Sequence, residues 1–259
     1  MAIIHSTTMS PAKLDLLASW LPAQLWYLDQ GRDPDLARAG GFRLDDPRGE
    51  VGIEFMVVTD GSGERVVTYL VPMTYRASAL ARAGGALIGT AEHGVLGRRW
   101  IYDGVHDPVL VARLVALIQG DAEPQAQSMS NTADPTVISE PVTSGSLAAV
   151  ESAAVNEASG TVLRVETAGA DGARGGQLVV RINRVLQPGE TAAPLAPAPG
   201  PGQSCLSATW RLPDGTRVRG IMASAQYRDL SSQAHGSAPG LPWFGRAETR
   251  KGGVSRLRM

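Results

Sequence analysis

The chain has 259 residues, 43% of them apolar and 5% aromatic, with a formal net charge of −1. That length suggests one or two domains at about 100–200 residues each, with enough apolar content to bury a core. Near-zero net charge argues against bulk attraction to nucleic acid or an anionic membrane, and a single cysteine, Cys205, excludes an internal disulfide or a multi-thiolate metal site.

The opening MAIIHSTTMSPAK lacks a basic n-region, a continuous apolar stretch and a small-residue cleavage site, so no secretory signal is expected. No apolar run approaches the roughly 18 residues needed to span a bilayer. A cytoplasmic protein is the expectation. Most aromatic residues precede residue 110, which places the better core in the first half.

Ser10 as N-cap and Pro11 at the first helical position predict a helix carrying Leu14, Leu17, Leu21 and Leu25. Pro22 should end or kink it, leaving a short turn for Trp26 and Leu28. Residues 31–41 read as loop. Val51, Ile53, Phe55 and Val57 alternate as one strand, Asp60-Gly61-Ser62-Gly63 turns the chain, and Val67, Tyr69 and Val71 return it. Residues 86–90 and 98–103 read as further strands around a turn at Glu92-His93-Gly94. Asp107 and Pro108 start a buried helix over Val109, Leu110, Leu114, Val115, Leu117 and Ile118, which Gly120 ends. The order helix, antiparallel strands, helix predicts an α+β domain over 1–120: an antiparallel sheet with flanking helices.

Residues 121–146 read as a polar linker. A second, β-rich domain is expected over 147–228, with strands at 161–167 and 177–183 and a hairpin of 207–212 with 217–227 around Pro213-Asp214-Gly215-Thr216. Its 187–203 stretch is a Pro-rich loop, and 229–259 a weakly ordered basic tail.

Short motifs carry little chemistry. Gly41-Phe42-Arg43-Leu44-Asp45 matches the GFRxD pattern of α-glucan hydrolases and branching enzymes, whose aspartate is the nucleophile. That chemistry sits late in a (β/α)₈ barrel of about 250 residues, and Asp45 comes too early. A surface loop with one packed phenylalanine is the expectation instead. Asp103, His106 and Asp107 crowd one segment, but Asp107 reads as a helix cap and Asp103 as shaping the turn around Gly104. The four histidines His5, His93, His106 and His235 share no metal-ligand spacing. Cys205 has no nearby histidine and reads as a packing residue. Gly61-Ser62-Gly63 is a hairpin turn and not a nucleotide fingerprint. No catalytic, cofactor-binding or metal-binding residue is nominated, and no cofactor is expected. Exposed arginine beside aromatics nominates one interaction surface: Tyr75, Arg76, Arg98, Arg99, Trp100 and Tyr102.

Several blocks in order resemble a known family. Gly52-Ile53-Glu54-Phe55, Tyr69 to Arg76, Leu87-Ile88-Gly89-Thr90, Trp100-Ile101-Tyr102-Asp103-Gly104 and His106-Asp107-Pro108 resemble the N-terminal cap domain of maltokinases, over about residues 10–120. Related bacterial glucosamine kinases carry a similar cap. The resemblance implies an α+β domain seated over the N-lobe of a kinase-like fold. Val162 to Glu166 and Leu178 to Gly189 also look like the first N-lobe strands of such kinases, with Arg181 near the nucleotide-contacting lysine. Arginine is not equivalent there, because its planar fork cannot replace a compact ammonium. The catalytic-loop and metal-binding residues of phosphoryl transfer are missing after Gly189, so catalysis is not expected.

The leading expectation is a non-catalytic, cap-like accessory or regulatory protein linked to α-glucan, trehalose or aminosugar phosphorylation. It would act by protein or ligand binding, with a protein partner or self-association, a sugar as possible ligand, and neither nucleic acid nor membrane. The alternative is a degenerate kinase-like protein that binds nucleotide or sugar. A third is an α-glucan-active enzyme using the GFRLD segment.

Overall fold

The computed structural model of the chain describes residues 8–81, 83–127, 129, 131–142, 148–168, 174–189, 200 and 202–229. Strands predominate. In the first half they are β1 (Met9–Ser10), β2 (Leu36–Leu44), β3 (Gly52–Asp60), β4 (Val67–Arg76), β5 (Leu87–His93) and β6 (Gly97–Asp103). Two helices flank them, α1 (Lys13–Trp20) and α2 (Pro108–Gln119). The short pairs β7 (Gln125–Ala126) and β8 (Ile138–Ser139) follow, then β9 (Ala148–Glu157), β10 (Gly160–Ala168), β11 (Arg174–Ile182), β12 (Val185–Leu186), β13 (Gln203–Arg211) and β14 (Arg217–Asp229).

These strands form one antiparallel sheet with the order β1-β5-β6-β4-β3-β2-β13-β14-β11-β10-β9. The sheet also closes on itself. Beyond β11 the chain continues through β12, which pairs with β4 at Tyr69 and Thr68. Asn183 N donates to Met222 O on β14, and Leu70 N donates to Arg184 O on the other side. Strands β2, β3, β4, β11–β12, β14 and β13 therefore make a ring, closed where Trp210 of β13 faces Gly40 of β2. Closure satisfies edges that an open sheet leaves exposed.

The alternation of β3 and β4 sorts two cores. Ile53, Phe55, Val57 and Leu70 point into the ring and pack with α2 and with Leu178, Val180, Leu206, Trp210 and Met222 from the second half. Met56, Val58, Tyr69, Val71 and Met73 point outward and pack with Leu17, Leu21, Trp26 and Ile101. Both faces of β3 and β4 are thus buried, and the period-2 pattern survives only as a choice between two cores. Phe42 stacks on Phe55 directly across the β2–β3 pair, with ring centroids 4.5 Å apart.

The second-half strands share sheet and core with the first half, across the segment expected as linker. That segment contributes β7 against β2 and β8 against β13, and buries Gln125, Val137 and Val142. The observed arrangement is thus a large antiparallel sheet with two helices, more strand-rich than an α+β expectation implies. The place of β10–β14 in the shared ring lends no support to a kinase N-lobe. The Pro-rich loop, apart from 187–189, 200 and 202–203, and the tail after Asp229 lie outside the described residues.

Three local expectations are corrected. Ser10 lies in β1, and α1 begins at Lys13, where the Asp15 carboxylate accepts from Ala12 N at 3.2 Å. Leu17 and Leu21 are buried, but Leu25 is 72% exposed because the helix gives way at Leu21–Ala23. The loop read over 31–41 becomes β2 from Leu36 onward; Gly41 to Leu44 of the GFRLD segment form its end, and Asp45 follows it. Gly41 permits this strand: its φ is +130°, and a Cβ there would lie 2.1 Å from Phe55 O. The α2 reading stands as drawn. Asp107 Oδ1 accepts from Val109 N at 2.9 Å, and Gly120 takes the left-handed conformation.

Candidate functional site

Three places in the fold bring side chains together in a way that bears on function. The first is a half-open cluster on the outward face of β3 and β4. Glu54 is 4% exposed, and its Oε2 accepts from Lys13 Nζ at 2.6 Å and Tyr75 Oη at 2.5 Å. Its Oε1 accepts from Gln127 Nε2 at 2.6 Å, and Gln127 Oε1 in turn accepts from Arg38 Nε at 3.0 Å. Lys13 Nζ also lies 4.9 Å from the Tyr75 ring centroid. Burial pushes the Glu54 carboxyl upward, but the Lys13 charge and the three donors outweigh it and hold the carboxyl below its usual range. Burial, then the Glu54 charge, pushes the Tyr75 phenol well up.

The second place is the Asp103–Asp107 segment. Both carboxylates are buried and each holds an arginine by two bonds. Arg76 Nε and Nη2 reach Asp107 at 2.6 Å each. Arg184 Nη2 reaches Asp103 Oδ1 at 2.8 Å and Oδ2 at 2.6 Å. Arg184 Nε donates to Thr161 Oγ1 at 2.7 Å, and that hydroxyl donates to Asn156 Oδ1. The guanidinium also lies 5.0 Å from the Trp26 ring centroid. Asp103 thus does not merely shape the turn at Gly104: it anchors an arginine arriving from the second half. His106 is exposed and joins neither pair.

The third place is a cleft of about 590 Å³ at one mouth of the ring, between the β3–β4 turn, β12 and the β13–β14 turn. Mouths of β-barrels are among the preferred positions for ligands.

The nominated interaction surface is split by the fold. Tyr75 and Arg76 of β4 face Ile101 and Trp100 of β6, so these residues are brought together. Tyr102 is 2% exposed, and its hydroxyl accepts from Leu80 N at 2.9 Å. Tyr75 and Arg76 are engaged with Glu54 and Asp107. Arg98 is exposed and pairs with Glu92 at 2.8 Å. Arg99 and Trp100 are half-buried.

Other singled-out residues have local roles. His93 Nδ1 accepts from Val95 N and Leu96 N in the β5–β6 turn. Cys205 is half-buried, and burial followed by Glu140 pushes its thiol up. Arg181, at the kinase-lysine position, is exposed and pairs with Glu157 at 3.0 Å. His5 and His235 lie outside the described residues. Among those described, no group of three or more His, Cys, Asp or Glu side chains could hold a metal ion. No helix among them is long and apolar enough to cross a membrane.

The sequence reading missed Arg184. It precedes β12 without any motif, and only the closure of the ring carries it to Asp103. Asp60 was read as part of a turn signal and proves to be its buried hub. It accepts from Asp35 N and Ser62 N at 3.0 Å and from Tyr27 Oη at 3.1 Å.

Residues 20–107 match the family model of the maltokinase N-terminal cap domain. The matched region contains β2 to β6, so the chain carries a cap-like domain. No curated protein sequence matches the chain.

Proposed function

We propose that the chain is a cytoplasmic, non-catalytic accessory or regulatory protein. It would act by binding a partner or ligand around α-glucan, trehalose or aminosugar phosphorylation. The observation that carries this reading is the cap-domain match over 20–107. Its support in the side chains is that Asp103 and Asp107 are each committed to an arginine, and Glu54 to Lys13, Tyr75 and Gln127. The contact surface we propose is the β6 side, where Arg98, Arg99 and Trp100 reach solvent.

The test is titration of the full chain into a maltokinase-type kinase, followed by calorimetry, beside an assay of ATP-dependent phosphorylation of maltose and glucosamine. Saturable binding that Trp100→Ala and Arg99→Glu weaken is expected, with no phosphorylation by the chain alone. Turnover of either sugar by the chain alone would overturn the non-catalytic reading. Absence of binding would overturn the accessory one.

A further inference from the structure

Strand β9 ends the sheet. It pairs with β10 on one side, and among the described residues no strand pairs with its other side. Along its ten residues, alternate N–H and C=O groups therefore point outward from the sheet. The rest of the sheet is better protected. Strands β2, β3, β4, β11, β13 and β14 each pair on two sides. At the opposite end β1 pairs with β5 at Glu92 and His93, and Leu16 of α1 lies against Gly89.

An open main-chain edge accepts an extended strand, and little in β9 keeps one away. It carries no proline, lysine or arginine, and most of its side chains are alanine, serine or valine. Val150 and Val155 are 70% and 54% exposed. The register against β10 shifts at Val150, which leaves 151–157 regular. The charges of β9 are Glu151 and Glu157, and their spacing selects a partner. In an antiparallel pair of identical strands a two-fold axis passes through one residue, because both copies present the same set of main-chain groups. An axis at Glu151 sets that residue against itself, and one at Ala154 sets Glu151 against Glu157. An axis at Ser152 sets Glu151 opposite Ala153, and one at Ala153 sets it opposite Val155. The middle of β9 is thus complementary to its own copy, with each Glu151 opposite an uncharged residue.

We propose that two copies of the chain associate through β9, paired antiparallel about Ser152 or Ala153, so that their sheets join into one. Main-chain hydrogen bonds hold the pair, and Val150 and Val155 lose solvent at the junction. One strand pair is a small interface beside the roughly 1,600 Å² of a standard one, so the dimer is reversible on dilution. The inference rests on the β9 edge alone and not on the accessory reading, and its test involves no kinase.

Sedimentation of the full chain should show its mass rising with concentration from 27.2 kDa toward twice that value. Hydrogen exchange over the same range should show protection appearing at the β9 amides that β10 leaves free. Ala153 is exposed and lies opposite Arg164 of β10, so Ala153→Glu is compatible with the folded monomer. Across the junction the new carboxylate meets its own copy or Glu151, and dimerisation should weaken at least about tenfold. Three outcomes would overturn the proposal. The mass could stay at the monomer value even at about 1 mM. Ala153→Glu could leave the dimer unchanged. The outward β9 amides could already be protected in the dilute monomer, which would mean that another segment of the same chain covers the edge.

Discussion

Arg184 and Arg181 stand three residues apart and mark two different regions of the molecule. Arg184 lies in the seam where the second half closes the ring, with its side chain buried against a buried Asp103. Arg181 lies on the outer face of β11, with its side chain 47% exposed against a Glu157 that is 44% exposed. The residue types and bond lengths are similar. What differs is the dielectric around the pair and what each pair joins. In the seam, water cannot replace a lost partner, and the pair ties residues 81 positions apart. On the outer face water competes for both charges, and the pair merely decorates a strand hairpin.

Breaking the seam should therefore give the largest effect. Asp103→Ala leaves the Arg184 guanidinium buried without its carboxylate and should cost about 3–5 kcal/mol in denaturant unfolding. Replacing both partners, Asp103→Leu with Arg184→Met, should recover much of that loss, because no orphaned charge remains. A loss below 1 kcal/mol for Asp103→Ala would mean that the ring is not held where it closes.

Gly41 tests the same closure from β2. A methyl group at a φ of +130° would meet Phe55 O, so β2 must pull away from β3 or distort. Gly41→Ala should cost about 2–3 kcal/mol, from the strained conformation together with the clash. Circular dichroism during thermal unfolding reads the loss. Unchanged stability would show that β2 pairs elsewhere, and the closure through Trp210 would fall with it.

The half-open Glu54 cluster should fall between seam and surface, and it adds a pH signature. Its folded value lies below the ordinary 4.5, so its stabilisation is present above that value and is lost as pH falls through the folded one. Glu54→Gln should cost about 2 kcal/mol at pH 7, as for hydrogen bonds to a charged group. The gap from the wild type should narrow as the pH is taken down to 3. A gap that stays constant would mean that the cluster acts by packing and not by charge.

The contrast also explains what could be read from the chain beforehand. Strands β3, β4 and β6 and helix α2 were legible because each carries its own pattern: alternation, a turn signal, or an Asp–Pro start with a Gly stop. The cap-like blocks were legible for the same reason, since they lie along those elements. Strand β2 was not, because Gly40 and Gly41 look like loop residues until Trp210 and Phe55 are seen pressing against them. The surface nomination separated poorly for a related reason. Tyr102 and Trp100 share one face of β6, yet Tyr102 is fully covered and Trp100 only partly, and no local pattern announces that difference. Arg184 and the mouth cleft were illegible because both arise where segments distant in sequence meet.

The smallest expected effect lies on the outer face and sharpens the comparison most economically. Arg181→Ala removes one ion pair between two half-exposed side chains and should change stability by less than about 1 kcal/mol. Raising the salt to 1 M should shrink even that difference, since exposed charges are screened within about 3 Å at that ionic strength. The Asp103→Ala loss should persist in the same salt, because ions do not enter the seam. Equal salt sensitivity in the two variants would place Arg184 and Arg181 in similar surroundings, and the ring would then have to be open at β12.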